Sequence, residues 1–581
     1  MGTLSCSVVI PTLRRAGPLR QLLVSLIESD TPPREIIVVC DGPDPQTRQL
    51  AQAREFADVQ SIFLEVNAGQ SAARNRGVAT ATGDVLLFLD DDMIAAPNLV
   101  RAHTSHHEVT DGGPVVVCGQ IIEQYPHPPD TVIETCLRAR RHQILESARK
   151  AIRQGSLAAR YYACCGANCS LLRATFVEFG GFDPALRTGM EDADLGLRLL
   201  DGAVRFIVDD TAAVYHHNQK DIRETFLTGN KDSAVTQVRQ ARRGRLADAH
   251  AKRLADAVYP SRGRAISEKV RRSSRPVYLA LESGFERAVS ASGSLAFARA
   301  WSTLAGSRAY IEGLEMEGET PESAARLIPA GPQVALFHSI SSPPSLADRS
   351  LCFPPEKLRK LCRRLSLHGM PGPEATDGVT LFTFDDAYED FYIAALPILR
   401  DFGFRCTVFV VASLIGSTNG WDESRGRRTR QLMNLAQLRE ISDLGIEIGS
   451  HSMTHAWLPS VEPADLWREV FDSKCLLEDS IGKRVRSFAY PSGGVGIRER
   501  LAVRAAGYDT AMTTIPGRNR PFDAFAVQRW EIHSGLRIDA IAKTVEGKRR
   551  HLEDKGLVAR NRSRIRDGIL RRLAVYGERG L

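Results

Sequence analysis

The stretch GDVLLFLDDDM, Gly83–Met93, is an unbroken apolar run that begins after a Gly-Asp turn and stops on three carboxylates. Five apolar residues without alternation read as a strand buried on both faces. Its surroundings have the same character. CSVVIPT (6–12) and REIIVVCDG (34–42) are β-branched runs that stop at Pro11 and at a Gly turn. PLRQLLVSLIES (18–29) and SAARNRGVATAT (71–82) are helix-like segments between them. Strands alternating with helices predict an α/β domain on a parallel sheet. Ligands of such sheets sit beyond the strands' carboxyl ends, where Asp41, Asp90, Asp91 and Asp92 fall.

A second acidic strand end lies almost three hundred residues later, in GVTLFTFDD (378–386). Strand-like runs recur around it at 333–340, 405–413, 445–452, 486–493 and 508–514. Between the two α/β regions the chain is Arg- and Ala-rich and helical in pattern. The expected domains are 1–230 (α/β), 231–330 (helical connector), 331–545 (α/β) and 546–581 (basic helical tail).

The 581 residues, 43% hydrophobic and 25% charged, have ordinary globular composition, which excludes disorder and coiled coil. No run approaches the roughly 18 apolar residues of a membrane span. The N-terminus lacks a basic region followed by an apolar run, and the eleven cysteines form no framework. Both features point to reduced thiols in the cytoplasm. MGTLSC only brushes against a myristoylation pattern, with Ser5 one place early. Arg clusters at 239–245, 270–275 and 559–572 read as solvated helix faces or as contacts to an anionic membrane surface at the inner face. No nucleic-acid motif accompanies them, so nucleic acid is not an expected partner.

Three adjacent aspartates repel unless a cation sits among them. Oxygen donors suit Mg²⁺ or Mn²⁺, which share their shells with phosphates. Asp385 and Asp386 are followed by GSHSMTH, with His451 and His455 at i and i+4. If that segment turns helically, both imidazoles share a face. Two His and one carboxylate form a three-ligand set for a zinc-like ion, or for non-haem iron.

The ordered set SVVIPTLRR, REIIVVCDGPD, NAGQSAARNRGVATATGDVLLFLDDDMIAAPNLV, CCGANCSLLRATFVEFGGFDPAL and EDADLGLRLLDGAVRFIVDDTAAVYHH resembles the family 2 glycosyltransferases, over roughly 5–230. That resemblance implies an inverting enzyme with a nucleotide-sugar-binding fold. It implies that Asp41 pairs with the nucleotide base, although Cys40 stands where the family often has a second Asp. Pro11 and Arg74 would line that pocket, with Asp90 and Asp91 at the nucleotide sugar. Asp92 would ligate Mg²⁺ or Mn²⁺, with His216, or its neighbour His217, completing the shell. Asp192, next to Glu191, would be the general base for the acceptor hydroxyl.

The set VALFHSI, FPPEKLRKLCRRLSLHG, VTLFTFDDAYED, LPILRDFGFRCTVFVVAS, LREISDLGIEIGSHSMTHAWL, RSFAYPSGG and AVRAAGYDTAMTT resembles the polysaccharide deacetylases of the carbohydrate esterases, over roughly 332–545. It implies an irregular (β/α) barrel. Asp386, His451 and His455 would bind Zn²⁺ or a similar ion. Asp385 would be the general base for the water that attacks an N-acetyl carbonyl. Strand alternation would turn the two Asp side chains to opposite sides. The backbone N–H of Ser492 would serve the oxyanion. Three departures stand out. Ala387 replaces a frequent Gly, Ala489 stands where the family's third motif often has Arg, and His533 lies near the expected late His but outside its motif.

The combined expectation is a bifunctional enzyme. It transfers a sugar, an N-acetylhexosamine, from a UDP-linked nucleotide-sugar donor, and removes an N-acetyl group. The acceptor would be a glycan, a glycolipid or a small molecule. The alternative is an active glycosyltransferase joined to a non-catalytic, carbohydrate-binding deacetylase-like domain.

Overall fold

A computed structural model describes residues 4–108, 113–156, 166–186, 191–217, 221–242, 275–328, 331–367, 382–517, 519 and 522–546. The chain divides into two compact units, 1–328 and 329–581. Most of the Arg clusters and the tail beyond Glu546 lie outside the described residues. Among those residues no helix is long and apolar enough to cross a membrane.

The first unit is built on eight strands: β1 Cys6–Thr12, β2 Glu35–Cys40, β3 Gln60–Phe63, β4 Val85–Phe88, β5 Met93–Ala95, β6 Val115–Gln124, β7 Cys169–Leu172 and β8 Arg205–His217. Their order is β3-β2-β1-β4-β7-β6-β8-β5. The β3-β2-β1-β4 half is parallel, as helix crossovers require. The other half is mixed, because β7 runs antiparallel to both β4 and β6, and β5 antiparallel to β8. The four residues between β4 and β5 are too few for a parallel crossover.

Pro11 does not stop its strand. β1 runs on to Thr12 beside β2, while its pairing with β4 ends at Val9. Pro11 therefore sits where one side of the strand carries no partner, the place that tolerates a missing N–H.

Two apolar layers cover the sheet. One holds Leu19, Leu22, Leu23 and Leu26 of the helix Ala16–Ile27, and the other Phe88, Phe176 and Phe182. The helices Ile222–Arg242, Arg275–Ser292 and Leu295–Met316 belong to this unit. Ile222, Val289, Ala298 and Trp301 pack with Ile133 and Leu137 of the helix Val132–Arg153.

The second unit has seven parallel strands: β9 Val334–Phe337, β10 Phe382–Phe384, β11 Cys406–Val410, β12 Glu447–Ser450, β13 Ser487–Ala489, β14 Thr510–Met512 and β15 Arg529–Glu531. Their order is β14-β13-β12-β11-β10-β9-β15. A parallel bridge between Met512 and Val527 joins the two ends. The sheet thus nearly closes on itself as a seven-stranded barrel, which covers its edges. Val334, Phe409, Ala489, Met512 and Val527 cluster together, apart from the larger core that joins the strands to their helices.

Candidate active sites

In the first unit, each aspartate of the DDD run meets a cation supplied by the protein itself. Asp90 accepts from Arg74 Nη2 at 2.9 Å. Asp91 and Asp92 share Arg15, at 2.8 and 2.6 Å, and Thr12 Oγ1 donates to Asp91 at 2.7 Å. Arg15 and Arg74 therefore offset part of the expected repulsion. Burial pushes Asp91 up to about 6 despite Arg15. Burial acts on Asp92 too, but His216 and Arg15 outweigh it and hold that carboxyl well below the usual carboxylate range.

β8 places His216 opposite Met93, so its Nε2 lies 3.2 Å from Asp92 Oδ2. Its Nδ1 meets Glu123 at 3.1 Å, and Glu123 in turn accepts from Arg141 at 2.7 Å. Burial works against the charged imidazole, yet the two carboxylates raise His216 to about 9. Asp92 and His216 are two donors side by side, which fits an ion that draws further ligands from substrate phosphates.

Arg74, 2% exposed, links the strand end to the helix Glu191–Asp201 through Glu191 at 2.8 Å. Burial and the neighbouring Asp192 push Glu191 up. Asp192 is half-buried beside Gly166, where a Cβ would come within 2.8 Å of the Asp192 Cβ. Asp41 has partners of its own. Its two oxygens accept from the backbone N–H groups of Ala68 and Gly69, at 2.7 and 2.9 Å. Pro11 is buried within β1. The sequence reading missed Arg15 and Glu123; the RR pair after β1 is the only local sign of the first.

In the second unit the polar groups collect at the barrel's carboxyl ends. His338 follows β9, Asp385 and Asp386 follow β10, His451 follows β12, Ser492 follows β13 and Thr514 follows β14; all line one small cleft of about 50 Å³. Strand alternation is not what separates the two aspartates, since both lie beyond β10. Asp386 and Ala387 take left-handed backbone, φ +73° and +56°. That turn re-aims the chain after Asp385, yet both carboxylates stay near His451 Nε2, Asp385 at 3.9 Å and Asp386 at 3.6 Å, and Ala387 accepts a conformation that glycine adopts without strain.

Nor do His451 and His455 sit on a helix. They lie in a loop bent by left-handed Ser452 (φ +68°) and His455 (φ +63°), which brings the rings to 5.0 Å. His451 Nδ1 donates to Ala489 O at 2.8 Å, which leaves Nε2 as its lone-pair nitrogen. Trp421 stacks on His455 at 4.4 Å.

Asp386 Oδ1 is buried and has no hydrogen-bond partner, yet it lies 3.6 and 3.4 Å from the Nε2 atoms of His451 and His455. Among the described residues these three are the only such cluster whose donor atoms all fall within 4.8 Å. An orphaned carboxylate oxygen facing two imidazole nitrogens is the donor set of a divalent, zinc-like ion.

Asp385 has a different environment. Arg529, fully buried at the start of β15, grips it bidentately at 2.7 and 2.8 Å. Burial would raise this carboxyl, but the guanidinium outweighs it and brings it down to about 2. Burial holds Asp386 well above the usual range, with Asp385 and Asp422 adding to it. Burial likewise lowers His338 and His451. His338 Nδ1 is buried without a partner. The sequence reading quoted His338 within VALFHSI but gave it no role, although a polar residue closing a buried strand was the available signal. His533 is buried but does not line the cleft.

Residues 7–176 match the family model "Glycosyl transferase family 2", and residues 372–511 match "Polysaccharide deacetylase". YxkH of Bacillus subtilis strain 168, which carries a polysaccharide deacetylase name, is 27% identical over 232 residues, 38% of this chain and 77% of its own. The glycosyltransferase YfnE of the same organism is 34% identical over 119 residues, 20% of this chain. The chain spans only 30% of YfnE's length. A Streptococcus pyogenes deacetylase, PplD, solved with acetate, is 20% identical with a TM-score of 0.32, covering 37% of this chain and 99% of its own. The chain joins a family 2 glycosyltransferase domain to a polysaccharide deacetylase domain, two enzyme families in one polypeptide.

Proposed function

We propose that the chain is a bifunctional enzyme that transfers an N-acetylhexosamine from a nucleotide-sugar donor, UDP-linked, and hydrolyses an N-acetyl group. The observation that carries the second activity is Asp386 Oδ1, buried without a partner and facing the two imidazole nitrogens. Asp386, His451 and His455 would hold a divalent ion, whose chemistry is to polarise a carbonyl and acidify a water. Asp385 takes the proton of the attacking water. Arg529 keeps it ionised and fixed in place. Its low proton affinity suits it only to a water already acidified. The Ser492 N–H, beside the cleft, serves the developing oxyanion. His338 passes a proton to the leaving amine.

In the first unit, Asp192 accepts the proton of the acceptor hydroxyl, and inversion follows from a single displacement. Asp92 and His216 would hold Mg²⁺ or Mn²⁺, which would offset the charge of the departing diphosphate. Pro11, Asp41, Arg74, Asp90 and Asp91 would form the nucleotide-sugar pocket. The acceptor is a glycan, glycolipid or small molecule.

The economical scheme is addition of the sugar followed by its deacetylation to a free amine. The test is accurate product mass from UDP-N-acetylglucosamine and candidate acceptors. Wild type should give the glycosylated, deacetylated product; Asp385→Asn should stop at the acetylated one, and Asp192→Asn should give neither. The same product from wild type and Asp385→Asn defeats the coupled scheme. Arg529 and His338 supply charged and titratable groups where Ala489 and the late motif do not, which supports the catalytic reading over the non-catalytic one.

A further inference from the structure

The cleft at the barrel mouth is too small for the molecule it acts on. Its volume of about 50 Å³ leaves room for only a few waters, at roughly 10–15 Å³ each on that measure. Pockets that swallow a whole small ligand run to roughly 300–1,000 Å³. An acetyl group fits such a cleft; a pyranose ring does not. Given the deacetylase reading, on which this inference rests, the sugar ring must lie outside, against the rim.

One side of that rim is apolar and exposed. Ser492 and Thr514 line the cleft and touch, with Thr514 Oγ1 donating to Ser492 O at 3.4 Å. Two residues beyond Ser492 in the chain, Gly494 lies under the indole of Trp457. A Cβ on Gly494 would come within 2.6 Å of that ring, so only glycine lets the indole settle there. Pro459 packs on the same glycine, 2.9 Å from that position. Trp457 is thus braced on one side, yet 43% of it stays exposed. Directly after Thr514, Ile515 is 49% exposed. Large apolar side chains that hold their place while exposed beside a cleft mark a binding surface.

Trp421 differs. It lies inside the cleft, stacked on His455, and is a wall rather than a platform. A pyranose ring carries its axial C–H groups on one face and its hydroxyls at its edge. An exposed indole face takes the first and leaves the second in water. We infer that Trp457 is a sugar-stacking platform that seats a pyranose ring of an N-acetylhexosamine oligomer at the mouth of the deacetylase cleft, with Ile515, next in the chain to Thr514, as a second apolar contact. The occupant is carbohydrate of at least two rings, since one ring presents the acetyl group and a neighbour can extend along the rim.

The test is calorimetric binding of a tetramer of N-acetylglucosamine to the full chain, with acetate release measured separately. Trp457→Ala should weaken tetramer binding about tenfold and raise KM similarly, with kcat reduced less than twofold. Trp457→Phe, which keeps an aromatic face, should recover most of the affinity, and Ile515→Ser should lose severalfold. Wild-type affinity in Trp457→Ala overturns the platform. So does a loss that Trp457→Phe fails to recover. Acetate release reports on the underlying reading: a wild-type chain that binds the tetramer through Trp457 but releases no acetate refutes catalysis and leaves the platform standing.

Discussion

Replacing Arg529 by Met should expose how the barrel interior holds its charge. Arg529 and Asp385 have side-chain exposures of 0% and 1%, and their two hydrogen bonds are 2.7 and 2.8 Å long. Removing one partner of a buried pair costs about 3–5 kcal/mol, because the other charge is left without compensation. A carboxyl at about 2, against an unperturbed ~3.9, corresponds to roughly 2–3 kcal/mol of linked stability. The sign follows from the depressed value: this stability is full above pH ~4 and is lost as pH falls through about 2. It is therefore fully present at neutral pH.

The assay is a double-mutant cycle with Asp385→Asn, followed by urea unfolding. Four of the five tryptophans, all but Trp301, lie in the second unit, so fluorescence reports mainly on that barrel. Arg529→Met should cost at least about 2 kcal/mol more in wild type than in Asp385→Asn, within the range of measured couplings between contacting groups. Acetate release should fall with it, because Asp385 loses the charge that keeps it ionised. Equal costs in the two backgrounds, within about 0.5 kcal/mol, would refute the reasoning.

Three further outcomes follow from the same geometry. Asp386→Asn or His455→Gln should purify with much less bound zinc than the roughly one equivalent expected of wild type in the 330–545 region, as elemental analysis would measure. His338→Asn should lower acetate release about 100-fold or more, the usual contribution of a positioned acid. The proton donor must be protonated to act, and burial lowers His338, so wild-type kcat should fall as pH rises through a value below 6.5 and the variant should lack that limb. In chelated protein, His216 contributes stability that is full below pH ~6.5 and is lost as pH rises through about 9. His216→Gln should flatten that alkaline loss in thermal unfolding of the first unit.

Much of this was legible in the one-dimensional pattern. Buried strands announce themselves as apolar runs, and a carboxylate that closes such a run falls at the carboxyl end whatever the tertiary detail. Asp90–Asp92, Asp385 and Asp386 were therefore placed correctly from the text alone. The reasons attached to them fared less well. Alternation was invoked to part Asp385 from Asp386, and a helix to join His451 to His455. In both places the backbone instead uses left-handed residues without glycine, at Asp386, Ala387, Ser452 and His455, and nothing in residue identity signals those. The predicted parallel sheet holds for β3-β2-β1-β4 but not for β7, whose orientation depends on a connection whose path no local pattern encodes.

The sequence by itself determined the two α/β units, the strand ends that carry acid, and the two families they resemble, because these depend on periodicity and on short motifs. Only the tertiary structure decided which cation answers which carboxylate. Arg15 reaches Asp91 and Asp92 across 76 and 77 residues, Arg74 reaches Glu191 across 117, and Arg529 reaches Asp385 across 144. The pairing of β15 with β9 brings Arg529 to a site whose own motif has Ala489 in place of a cation. Charge pairing depends on distances of a few ångströms in space, and those distances exist only once the sheets have closed.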